Sequence, residues 1–131
     1  MRAITTKDKK MNVETIKVNE VEYVRKDSLA QQAPSLNGLK YAIVRTYSAG
    51  VFAGYIESQA GQEVVLLKAR RLWQWAGAAS LSQLATDGTS NPASCKFPCE
   101  VERIKLLNAI EILDTTDKAK KSIDSVKVWT V

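Results

Sequence analysis

The sequence predicts a β-rich α+β domain: a bent antiparallel sheet or small half-open barrel carrying two or three short helices. Three observations lead there. Apolar residues alternate with polar ones over several short runs, tight Gly-containing turns separate those runs, and the capped helix starts open only short helices. With 131 residues, 45% of them hydrophobic, the chain suits one ordinary domain and can bury a core without disulfide or metal.

In chain order, residues 1–12 are polar, basic and without periodicity, and read as a disordered tail. Residues 13–37 read as an N-terminal appendage. Ile16 and Val18 alternate, Asn19-Glu20 offers a turn, and Val21, Tyr23 and Arg25 continue beyond it. Lys26 to Ala33 suggests a helical turn capped by Asp27 or Ser28, and Pro34 to Gly38 a connector.

The main domain spans residues 38–131. Tyr41 to Tyr47 reads as a strand with Tyr41, Ile43, Arg45 and Tyr47 on one face. Val51 to Ser58 reads as the next, with Gly54 marking a bend or a close approach of backbones. Ala60-Gly61-Gln62 closes a hairpin into a long or bent strand from Glu63 to Trp75, because Arg71, Trp73 and Trp75 alternate. Ser80-Leu81-Ser82-Gln83 is a capping box that opens a helix with Leu81, Leu84 and Ala85 inward and Gly88 at its exit. Thr89 to Pro98 is a loop; Val101 to Leu107 and Ala109 to Leu113 are strands. Thr115-Thr116-Asp117 caps a basic helix, Lys118 to Ser125, with Ala119, Ile123 and Val126 as one inward stripe, and Trp129 pins the C-terminus.

Composition removes several function classes. Histidine is absent, so no imidazole base, Ser-His-Asp triad or His-ligated metal is available. The two thiols, Cys95 and Cys99, cannot complete a tetrahedral zinc site by themselves. No phosphate-cradling glycine loop or nucleophile elbow occurs, and the carboxylates are scattered. The expectation is therefore a non-enzymatic protein with no cofactor and no metal. The net charge of +5 is patchy, with Arg2, Lys7, Lys9 and Lys10 in the tail. Binding of duplex nucleic acid through many phosphates would need a denser basic stripe.

The candidate ligand-binding residues are Arg45, Tyr47, Ser48, Arg71, Trp73 and Trp75. Guanidinium groups hold phosphates through paired hydrogen bonds, and aromatic faces stack on nucleobases. Strict alternation sends Arg70 and Arg71 to opposite faces, so at most one of them joins the tryptophans. The turn Thr46 to Gly50 adds small hydroxyls and backbone amides of the kind that hold anions. Against this stands plain packing, since Trp and Tyr are commonly buried and Arg commonly stacks on them.

The stretch Tyr41-Ala-Ile-Val-Arg-Thr-Tyr-Ser-Ala-Gly-Val, continued by Glu63-Val-Val-Leu-Leu-Lys-Ala-Arg-Arg-Leu-Trp-Gln-Trp, resembles small proteins of tailed bacteriophages and prophages that carry no assigned activity. The likeness runs from about Leu39 to Trp129. Val21-Glu-Tyr-Val-Arg-Lys-Asp-Ser resembles a short N-terminal module of small phage proteins. The resemblance implies a phage accessory or counter-defence factor in the host bacterial cytoplasm, and no membrane partner is expected. The leading expectation is sequestration of an anionic, nucleotide-like small molecule by a homo-oligomer. The alternatives are a protein inhibitor that binds a host enzyme directly and a single-stranded nucleic-acid-binding protein.

Overall fold

The structure, a computed structural model, describes residues 31–131. The expected tail (residues 1–12) and the expected appendage as far as residue 30 lie outside the described residues. Five strands form one antiparallel sheet: β1 (Tyr41–Thr46), β2 (Val51–Ala60), β3 (Glu63–Arg71), β4 (Glu100–Leu106) and β5 (Ala109–Asp114). Two helices accompany them, α1 (Leu81–Asp87) and α2 (Asp117–Ser125), with a 3₁₀ turn at Pro92–Ser94. Among the described residues the fold is mainly β with two helices, the lower end of the expected number.

The strand order is β4-β3-β2-β1-β5, so β4 and β5 occupy opposite edges. Yet only Leu107 and Asn108 join them. In a flat sheet those edges would lie about 19 Å apart, whereas three Cα steps reach about 11 Å. The sheet therefore curls strongly at this end. The Ala109 amide donates to the Gln62 carbonyl (3.0 Å) and the Tyr47 amide to the Asn108 carbonyl (2.9 Å), which fastens the curl. The sheet is not closed, because β4 and β5 share no ladder.

Curling gives the sheet two buried faces. On one face Tyr41, Ile43, Ala53 and Leu72 pack beneath Leu84, Ala85, Phe97, Ile123 and Val126. The opposite core, Val44, Phe52, Val64, Leu66, Ala69, Leu106 and Ala109, is drawn wholly from the sheet and its rim. Among the described residues no helix covers it; the curl does.

Local chemistry explains the helices. The Ser80 hydroxyl accepts from the Gln83 amide (3.2 Å), and the Gln83 side chain accepts from the Ala79 amide (2.7 Å). The Thr116 hydroxyl caps α2 through the Ala119 amide (3.0 Å), and Ala119, Ile123 and Val126 are buried as their spacing requires. Gly88 ends α1 at φ 78°, where a Cβ would meet the Ser122 side chain.

Two expectations need correction. The strand expected to continue to Trp75 ends at Arg71. Its partner β2 begins at Val51, whose carbonyl takes its last bond from the Leu72 amide, and beyond that point Gln74 pairs with Lys96 instead. The helical turn expected through Ala33 is absent from its described part: Gln32 pairs antiparallel with Thr116, and Ala33 is buried in the helix-side core.

The β2–β3 hairpin carries two irregularities that cancel. Ala60 faces Glu63 at the turn, Glu57 is the extra residue on β2, and Lys68 is the extra residue on β3. Beyond both, Phe52 again faces Arg71, as an undisturbed ladder would have it. Lys68 adopts φ 51°, the left-handed region, as the bulge demands. The bulge reverses the alternation of β3. Val64 and Leu66 face the sheet-only core, and after Lys68 it is Ala69 that does so. Arg70 consequently goes beneath the helices and Arg71 to the other face.

Candidate functional site

Arg70 and Arg71 have opposite fates. The Arg70 guanidinium is buried and donates to four backbone carbonyls: Ile123 (2.9 Å), Val126 (2.7 Å), Phe97 (3.1 Å) and Pro98 (3.1 Å). It also sits over the Phe97 ring, and burial lowers its pKa. Arg70 thus ties β3 to the end of α2 and to the loop before β4. That is a structural task, and it leaves little of the fork for a ligand.

Arg71 is exposed and lies over the Phe52 ring, 4.6 Å from its centre. A guanidinium held over a ring by its face keeps its N–H groups for hydrogen bonds, and among the described residues those of Arg71 have no partner. Around it lies a cleft of about 280 Å³ lined by Thr46, Ser48, Asn108 and Lys105, with Phe52, Ile104 and Leu106 as apolar floor. The lining holds two cations and no carboxylate. Lys105 is partly engaged by Glu63 at 3.4 Å, an exposed and therefore weak pair. Among the described residues, no carboxylate pairs with Arg71.

Of the six candidate residues, this cleft brings together Ser48 and Arg71. Tyr47 stands next to Ser48 with its side chain largely exposed, and its backbone is held by Asn108 at the rim. Arg45 pairs with Glu111 across β1 and β5 (2.8 Å) and does not line the cleft. Trp73 and Trp75 do not line it either: Trp73 is 62% exposed beyond the strand end, and Trp75 packs against the helix-side core. The reason is the early end of β3, after which alternation no longer governs direction.

The Thr46 to Gly50 turn is internally satisfied to a large degree. The Thr46 amide and hydroxyl both donate to the Gly50 carbonyl, and the Ala49 amide donates to the Thr46 hydroxyl (2.9 Å). Ser48 lines the cleft, and its hydroxyl has no hydrogen-bond partner among the described residues. Sequence reasoning missed Phe52, Lys105 and Asn108, which arrive from β2, β4 and the link to β5. Only Phe52 had a signal: counting back from the Ala60–Glu63 turn pairs it with Arg71.

Elsewhere, Cys95 is buried with its thiol near the carbonyls of Ala76 and Asn91 (3.6 Å each), and Cys99 is exposed. Among the described residues no group of three metal-ligating side chains assembles. No described helix is long and apolar enough to cross a membrane.

No curated protein and no solved structure matches this chain. One domain family does, and its match over residues 39–123 includes all five strands, α1 and the six candidate residues. The chain belongs to the DUF6948 family, a domain of unknown function.

Proposed function

We propose that this protein binds, without chemical turnover, a small anionic ligand with a flat ring, of the nucleotide class, in the Arg71–Phe52 cleft. The observation that carries the reading is a cleft with two cations, a ring already stacked beneath one of them, and no carboxylate in its lining. An anion would take the N–H groups of the Arg71 fork, the Lys105 ammonium and the Ser48 hydroxyl, since the Thr46 hydroxyl is spent on the Gly50 carbonyl. A flat ring would lie against the guanidinium or the apolar floor. The cleft volume of about 280 Å³ sits at the small end of ligand sites, which favours a mononucleotide over a longer chain. The lack of histidine in the whole sequence supports a binding role over acid–base catalysis. Sequestration of such a molecule during phage infection is the setting that the sequence resemblance suggests.

Native mass spectrometry after incubation with a bacterial metabolite extract tests the reading. Wild-type protein is expected to carry a reproducible added mass that denaturation releases, and Arg71→Ala to carry none. Retention of the same mass by Arg71→Ala would overturn the cleft as the site. A bare protein in both cases would overturn the function.

A further inference from the structure

A second cavity, larger than the Arg71 cleft, opens on the helix side of the sheet. It encloses about 480 Å³ between β1, β2, β3, β4 and α2. Its inner wall is a pair of tyrosines, Tyr41 and Tyr55, packed edge to face with ring centres 5.2 Å apart. Tyr41 is only 5% exposed, yet among the described residues its hydroxyl has no hydrogen-bond partner. A buried phenol without a partner is costly, and its position in a cavity lining points to an acceptor supplied from outside.

The charged groups around the cavity are not equally available. Lys120 lies over both rings, 5.0 and 5.8 Å from their centres, and is held by Asp124 at 2.6 Å. That pair satisfies itself. Arg70 also reaches the lining, with its fork spent on four carbonyls. Two lining groups are left. Lys68 stands on the left-handed bulge residue, with Glu102 as its nearest carboxylate at a loose 3.7 Å. Glu100 has no ion-pair partner among the described residues. The cavity therefore offers one cation, one anion, two phenols of which that of Tyr41 is buried, and an apolar wall completed by Leu36 and Val128.

That combination discriminates between ligand classes. A simple anion would leave Glu100 uncompensated, and a simple cation would leave Lys68 so. A molecule carrying both charges on neighbouring atoms leaves neither group uncompensated. We propose that this cavity binds a small zwitterion, a free L-amino acid with an apolar side chain, with its ammonium at Glu100 and its carboxylate at Lys68 and the Tyr41 hydroxyl. The apolar side chain lies along Tyr55, Leu36 and Val128. The site is separate from the Arg71 cleft, with which it shares no lining residue.

The test is calorimetric titration of the full chain with each of the twenty proteinogenic L-amino acids, then with the N-acetyl and amide forms of any that bind. At least one apolar amino acid is expected to bind, and its N-acetyl and amide forms to bind about ten-fold more weakly or less. Glu100→Gln and Tyr41→Phe are each expected to weaken it by about ten-fold. Lys68→Gly removes the ammonium while suiting the left-handed backbone, and is expected to weaken it without loss of fold, checked by circular dichroism. Arg71→Ala is expected to leave this binding unchanged, whatever becomes of the anion cleft. Failure of every amino acid to bind up to about 10 mM would overturn the proposal. So would equal binding of an N-acetyl form, or full affinity in both Glu100→Gln and Lys68→Gly.

Discussion

A Cβ placed on Gly54 would lie 2.9 Å from the Leu67 carbonyl oxygen and 3.1 Å from the Ala69 Cα. Glycine at this point lets β2 pass the bulge that Lys68 makes in β3. The bulge, in turn, decides which arginine goes beneath the helices and which enters the cleft. Local sequence, sheet register and site are thus linked through one contact.

Gly54→Ala is expected to cost about 2 kcal/mol, since the added methyl meets backbone that cannot move aside cheaply. Chemical denaturation measures it. A loss below about 0.5 kcal/mol would mean the hairpin absorbs the methyl without strain. Lys68→Gly should be neutral or slightly stabilising, because it relieves a left-handed lysine while adding chain entropy to the unfolded state.

Arg70→Lys is expected to destabilise the fold by about 3 kcal/mol. A single ammonium cannot reach four carbonyls on two separate segments, and those it misses stay buried. Arg71→Lys, one residue along, should cost about 1 kcal/mol or less, the scale of an exposed cation–π contact. Thermal unfolding of the two variants side by side gives the comparison. Equal losses would contradict the division of labour between the arginines.

Stability should fall in alkali. Burial, and then the charge of Asp124, pushes the Tyr41 phenol well above its ordinary value. Burial pulls the Lys120 ammonium down, but the hydrogen bond and charge of Asp124 outweigh it and raise its pKa. Both groups hold their protons more tightly when folded. Their contribution is complete below the unfolded values, about 10 for tyrosine and lysine alike, and is lost as pH rises through the folded ones. Denaturation midpoints measured from about pH 8 to pH 11 should decline, and Tyr41→Phe should decline less steeply. A profile identical in Tyr41→Phe would remove the phenol from this account.

Much of the fold was legible because it rests on short-range chemistry. The alternation from Tyr41, the turn at Gly61, the capping box at Ser80 and the stripe Ala119-Ile123-Val126 each depend on neighbours along the chain. The close approach at Gly54 was legible too. What escaped was non-local. Where β3 stops is set by where β2 starts, at Val51, so the clean alternation of Trp73 and Trp75 carried no strand. Lysine gives no sign of a left-handed bulge, so nothing marked Lys68. Residue type singled out Arg71 and Ser48 separately, but that they share a cleft with Lys105 and Asn108 follows only from the curl of the sheet, which brings β4 beside the β1–β2 turn. The Tyr41–Lys120 cavity depends on α2 crossing the sheet, which no spacing along the chain announces.

The most direct test of the central claim is a titration of isotope-labelled protein with adenosine monophosphate, followed by NMR of backbone amides and arginine side chains. The account predicts saturable shifts at the Arg71 Nε–H and at the amides of Ser48, Leu107 and Asn108, all abolished in Arg71→Ala. Shifts that spare Arg71, or a spectrum unmoved by the nucleotide, would contradict it.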